Sequence, residues 1–275
     1  MLRRRHLRLR WVWTVATLLC LAEVADGCEG LFGRPNEITG LDDSRCSARC
    51  ECEDGVFEPP DYTEEDIREL NGWVLLDPPA ELIADPYAAP AGQAPLDEKV
   101  CAVVPESPEA RTYRLESFDS EQAVREAGGW ITHTGACGVC SSLADLAVYM
   151  RESDLATPVR RCALKNFFGS MESHLACLEA IGFQRPCAQI WYYNTRHTRQ
   201  ECSRPCLAGL GATYHDDDGA LNECIRCDED RSGPVFKAVS GRTRRNSGLP
   251  SALCRPCDTV SRIVHRYPPT PEESP

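Results

Sequence analysis

Cys137-Gly138-Val139-Cys140 is the segment of this chain best suited to chemistry. Two cysteines three residues apart can exchange a disulfide with a thiol substrate, the first attacking as thiolate and the second resolving the mixed disulfide. Val139, Leu143, Leu146, Ala147 and Met150 recur at helical spacing, which predicts an amphipathic helix over about 138–151 with the pair at its start. Unpaired N–H groups and the macrodipole at a helix N-terminus lower a thiol's pKa. Cys137 is therefore the expected nucleophile and Cys140 the resolving thiol, with Gly138 leaving the approach open. His133 is close enough in sequence to serve as a base or a cationic neighbour. Two other readings compete: Cys137 and Cys140 as further structural staples, and a cysteine nucleophile in acyl or group transfer.

The four residues and the helix after them resemble the redox centre of thioredoxin-like proteins, with valine where proline is commonest. That resemblance implies thiol-disulfide exchange with a protein or small thiol partner. No βαβ pattern precedes the motif. A flavin-linked sulfhydryl oxidase also sets a CxxC pair at a helix start, but its His- and Asn-containing flavin signature is not apparent, and no cofactor is expected.

The compartment decides how the other cysteines are read. Arg3, Arg4, Arg5, Arg8 and Arg10 precede an apolar run from Trp11 to Ala22, the layout of a secretory signal peptide. The run is too short to span a bilayer, and Ala25-Asp26-Gly27 suits cleavage before Cys28. The expected product is soluble, with no stable membrane span, and is secreted or lumenal; the absence of a KDEL-type terminus favours export. Of 17 cysteines, Cys20 leaves with the leader, and the rest form an even set suited to a disulfide framework. The formal charge of −12 becomes more negative once the basic leader is gone, so nucleic acid and anionic membrane surfaces are not expected partners.

Two cysteine sets are mirror-symmetric in spacing. The same interval separates Cys162 from Cys177 and Cys187 from Cys202. On two antiparallel helices turning near Gly182 each interval spans about 22 Å, which predicts bridges Cys162–Cys202 and Cys177–Cys187 and forbids bridges within either helix. Cys224-Ile225-Arg226-Cys227 and Cys254-Arg255-Pro256-Cys257 form the second set, predicting Cys224–Cys257 and Cys227–Cys254. A tetrahedral zinc site on Cys224, Cys227, Cys254 and Cys257 is the alternative; compartment favours disulfides. Between these pairs lies Arg242-Thr243-Arg244-Arg245, read as a solvated basic loop or a processing site.

Other groups carry weaker signals. His174 reads as a boundary histidine, and His197 as solvent-facing, with a place in a polar cleft near Asn194 and Arg196 as the alternative. His215-Asp216-Asp217-Asp218-Gly219 lacks the spacing of a calcium loop. Trp191, Tyr192 and Tyr193 point in three successive helical directions, so at least one ring must face a partner or a pocket.

The elements that must hold these groups are mainly α-helical: disulfide-rich helical hairpins, with a small β-hairpin from strands at 99–104 and 112–118. Four regions follow: a signal peptide over 1–27; an irregular Cys-containing segment with a Pro/Ala-rich connector over 28–97; a helical disulfide-rich domain over 98–267; and a flexible tail over 268–275.

Overall fold

Thr63 begins the first helix by a reciprocal cap: its hydroxyl accepts from the Asp66 amide while the Asp66 carboxylate accepts from the Thr63 amide. Helix α1 (Glu64–Asn71) follows, burying Ile67 and Leu70. The computed structural model describes residues 50–52, 55–57, 61–88, 98–107, 109, 111–216, 220–253 and 259–268. The expected signal peptide, Cys20, Cys28, Cys46, Cys254, Cys257 and most of the expected tail lie outside them.

Among the described residues the chain is about half helical, with one small four-stranded sheet and five disulfides. Strands β1 (Cys50–Cys52) and β2 (Gly55–Phe57) pair with each other. The larger sheet has the order β3 (Val74–Leu75), β5 (Thr112–Phe118), β4 (Val100–Ser107), β6 (Trp130–Thr134). β3 is parallel to β5, and β4 is antiparallel to both its neighbours. A short helix α2 (Glu121–Glu126) joins β5 to β6.

Six helices follow: α3 (Leu143–Arg151), α4 (Ala156–Lys165), α5 (Met171–Ile181), α6 (Arg185–Glu201), α7 (Ser203–Ala208) and α8 (Glu223–Arg231). Then come α9 (Gly233–Ser240) and a tight 3-10 turn (Arg245–Ser247). A break at Gly169-Ser170 separates α4 from α5, and Ser170 caps α5 by accepting from the Ser173 amide. Pro186 sits in the first turn of α6, where its missing N–H costs nothing. Trp73, Tyr113, Leu143, Leu146, Leu178 and Ile190 lie in one continuous apolar core between sheet and helices. No helix of the described residues is long and apolar enough to cross a membrane.

Candidate functional site

The helix expected to start at Gly138 begins at Leu143 instead, capped by Ser142, whose hydroxyl accepts from the Asp145 amide at 3.0 Å. Cys137 and Cys140 therefore lie in the turn before the helix, and the macrodipole, which acts within the first turn, does not reach Cys137. Nor are the two cysteines partners. Cys137 bridges Cys101 on β4, and Cys140 bridges Cys187 in the first turn of α6. Cys101, Cys140 and Cys187 are fully buried. Gly138 is not an open approach either. A Cβ there would lie 2.6 Å from the Ser240 carbonyl carbon and closer still to Val239 O. The end of α9 is docked on the turn, with Val139 and Cys140 donating their amides to Val239 O and Ser240 O at 3.0 and 2.9 Å.

His133 is buried in the same junction. Its Nδ1 lies 3.0 Å from Thr134 O and its Nε2 2.7 Å from Ser141 Oγ. Burial, with Arg242 nearby, holds its pKa well below the usual histidine value, so it is neutral. Nδ1–H then donates to the carbonyl and Nε2 accepts from the serine hydroxyl. The geometry is that of a base and a nucleophile, yet both side chains are fully buried and Ser141 Oγ also accepts from the Gly138 amide. The pair fixes the turn.

The remaining bridges also differ from those the spacing predicted. Cys162 pairs with Cys177, not Cys202, at a Cα–Cα distance of 5.6 Å. The break between α4 and α5 folds the two helices back on each other, so an interval that would separate them on one straight helix brings them together. Cys187, expected opposite Cys177, is taken by Cys140. Cys202 pairs with Cys227 and Cys206 with Cys224, joining the α6–α7 corner to α8. Bridges Cys224–Cys257 and Cys227–Cys254 are thereby overturned. So is the zinc alternative, because Cys224 and Cys227 hold no free thiolate. No group of three or more metal-ligating side chains occurs among the described residues.

The basic run Arg242 to Arg245 is not a solvated loop. Arg242 is 0 % exposed. Its guanidinium donates to Cys140 O, Thr132 O, Ser247 Oγ, Thr132 Oγ1 and Ser141 O at 2.6–3.1 Å. It locks β6, the cysteine turn and the 3-10 turn together through neutral acceptors. Asp145, buried nearby, accepts from Ser142 Oγ and from the Gln184 amide at the start of α6. Burial raises its pKa to about 7.

The open feature lies among the helices. A cavity of about 860 Å³ is walled by α3, α4, α5, α6, α8, α9 and the 3-10 turn, a size typical of small-molecule sites. Trp191 and Tyr192, two rings of the aromatic triplet on α6, line it, whereas Tyr193 is buried elsewhere. Trp191 packs edge-on against Phe236 at 4.7 Å and tilts towards Tyr149 at 6.5 Å between ring centroids. The Arg244 guanidinium lies 5.7 Å from the Tyr149 ring. Its Nη1 donates to Tyr149 O and Pro250 O at 2.8 and 2.7 Å.

Five buried side-chain polar atoms among the described residues have no hydrogen-bond partner: Trp73 Nε1, Tyr149 OH, His174 Nε2, Trp191 Nε1 and Arg244 Nη2. The last four belong to residues lining this cavity. The Trp191 indole N–H is near enough to favour ionisation of the Tyr149 hydroxyl but does not reach hydrogen-bond geometry. Desolvation lowers the pKa of His174 to about 4 and that of Arg244 to about 10, so at neutral pH the first is uncharged and the second a cation. Asp228 on the same wall accepts from Thr198 Oγ1, and burial raises its pKa.

His174 was expected at the edge of the core and is 6 % exposed. His197 is not solvent-facing: it stacks on Tyr87 at 4.3 Å and is bonded to Ser232 Oγ. The cavity was only half visible in sequence. The aromatic triplet signalled it, but Tyr149, Phe236 and Arg244 come from helices and turns whose meeting no local pattern announces.

Residues 171–263 match the model of a family of unknown function (DUF8771). The matched stretch runs from α5 past the 3-10 turn, and so carries His174, Trp191 and Arg244 but neither the cysteine turn nor Tyr149. No curated protein and no solved structure matches the chain.

Proposed function

We propose that this chain is a non-enzymatic binding protein of the secretory pathway, secreted or lumenal, whose cysteines serve as staples. The disulfides themselves fit an oxidising compartment. The observation that carries the reading is that Cys137 and Cys140 each bridge a distant partner, with Cys140 sealed in the core. Catalytic exchange needs a vicinal pair that a substrate thiol can reach. Here the attacking position is tied to Cys101, the resolving position is buried in its bridge to Cys187, and the intervening glycine is packed against the end of α9, which favours a framework that presents a binding cavity.

Non-reducing peptide mapping, followed by titration in graded thiol redox buffers, tests this. The expected result is linked peptides Cys101–Cys137 and Cys140–Cys187, both as resistant to reduction as Cys162–Cys177. A Cys137–Cys140 loop, or a bond in this junction that opens well before the others, would restore the exchange enzyme.

A further inference from the structure

The four unpartnered atoms in the cavity wall are not a random sample of side-chain chemistry. The Tyr149 hydroxyl, the Trp191 indole and the Arg244 guanidinium can each donate, and the neutral His174 ring can present either role at Nε2. Buried donors are almost always satisfied, by water or a ligand where the protein supplies no acceptor, so an occupant that brings acceptors fits this space. The wall also differs in charge from the molecule around it. Six basic side chains line the cavity against three acidic ones, in a chain whose formal charge is −12. Trp191, Phe236, Val159 and Leu249 supply the apolar faces.

We propose that this cavity binds an apolar carboxylic acid, its carboxylate held by Arg244 Nη2 and the Tyr149 hydroxyl and its hydrocarbon body laid against Trp191 and Phe236. Each of the two donors meets one carboxylate oxygen, and Arg244 Nη1 is kept out of the exchange by its two carbonyl acceptors. Those same bonds hold the guanidinium in place before the ligand arrives, so little ordering is needed on binding. The inference rests on the chain being a binding protein, and adds which chemistry it binds.

The test titrates the full chain, disulfides intact, with cis-parinaric acid and separately with its methyl ester, reading energy transfer from tryptophan. The wild type is expected to bind the acid about tenfold or more tightly than the ester, the scale of a charge-assisted hydrogen bond. Tyr149→Phe removes a hydroxyl that has no protein partner, so it leaves the fold intact; it should weaken the acid about tenfold and leave the ester unchanged. Arg244→Lys should act in the same direction, with its thermal melt measured alongside to separate misfolding from lost recognition. Equal affinity for acid and ester in the wild type overturns the carboxylate assignment and leaves the binding reading standing, as does unchanged acid affinity in both variants. Failure of a normally melting chain to take up either probe overturns the cavity site and the binding reading with it.

Discussion

Gly138→Ala separates a glycine needed for backbone packing from one that merely leaves a reactive thiol accessible. The new Cβ would lie 2.5 Å from the Gly241 amide nitrogen and 2.6 Å from the Ser240 carbonyl carbon, and these are main-chain atoms that cannot rotate aside. Overpacking of this kind costs about 1–3 kcal/mol. If the turn instead moves off α9, it strains the bonds from Val139 and Cys140 to Val239 O and Ser240 O. Each is worth about 1 kcal/mol net. Either route gives a loss of about 1–3 kcal/mol, which for a domain of this size lowers Tm by roughly 3–12 °C. Gly233→Ala is the control, since its Cβ would meet only Asp228 O at an ordinary 3.8 Å. Both variants are melted at one scan rate without reductant. On the exchange reading an alanine between the cysteines is tolerated, so a Gly138→Ala protein melting within about 2 °C of wild type would refute the packing argument.

Arg242→Met should leave Thr132 O, Cys140 O and Ser141 O without their donor in the core, a loss of about 3 kcal/mol or more; wild-type yields of protease-resistant protein would contradict this. Cys162→Ala/Cys177→Ala removes one bridge with a sequence separation of 15 and should cost about 3 kcal/mol. It should expose no more thiol to Ellman's reagent after denaturation than the wild type does, whereas two additional reactive thiols would mean that Cys202 and Cys187 had lost partners. His265, buried with its pKa lowered to about 3, and His133, also lowered, contribute stability that is present above the unfolded value near 6.5 and lost as pH falls towards their folded values. Asp145, raised to about 7, acts oppositely, its contribution being present at low pH and lost as pH rises through 7. Asp228, also raised, acts with Asp145, and His174, lowered to about 4, acts with the other histidines; three histidines outnumber two acids, so urea midpoints should fall as pH drops below about 6.5. A flat profile between pH 5 and 7 would show that these groups titrate alike in the folded and unfolded chain.

Local signals were legible where the physics is local. The Thr63 cap, the break at Gly169-Ser170, proline at the start of α6 and the strands near 100–118 all follow from neighbours in sequence. Disulfide partners were not, because pairing depends on where helices fold back. Symmetry of spacing was a real cue applied to the wrong residues. Cys202 and Cys206 lie four apart and Cys224 and Cys227 three apart, so each pair occupies one helical face, and these are the faces that meet. Counting Cys206 among the pairs would have revealed it. The expectation of an open, vicinal Cys137–Cys140 pair missed for a different reason: sequence shows that a glycine is present but not whether solvent or another backbone fills the space beside it.

The arginine run shows how little of a residue's role lies in its type. Arg242 and Arg244 are two residues apart in one basic run, the first fully buried and the second half-buried. The first spends its whole donor set on five bonds to the cysteine turn, β6 and the 3-10 turn. The second makes two bonds through Nη1, lines the cavity, and leaves Nη2 without a protein partner. Because one short segment anchors both the disulfide junction and the cavity wall, a ligand held by Arg244 must stabilise the fold that Arg242 closes. A carboxylic acid at a hundred times its Kd should add about 2.7 kcal/mol, enough to raise Tm by roughly 5–10 °C. Tyr149→Phe should reduce that increment without moving the melt of the unliganded protein. If the acid binds and the melt does not move, the cavity and the junction unfold as separate units, and the coupling through residues 242–244 is wrong.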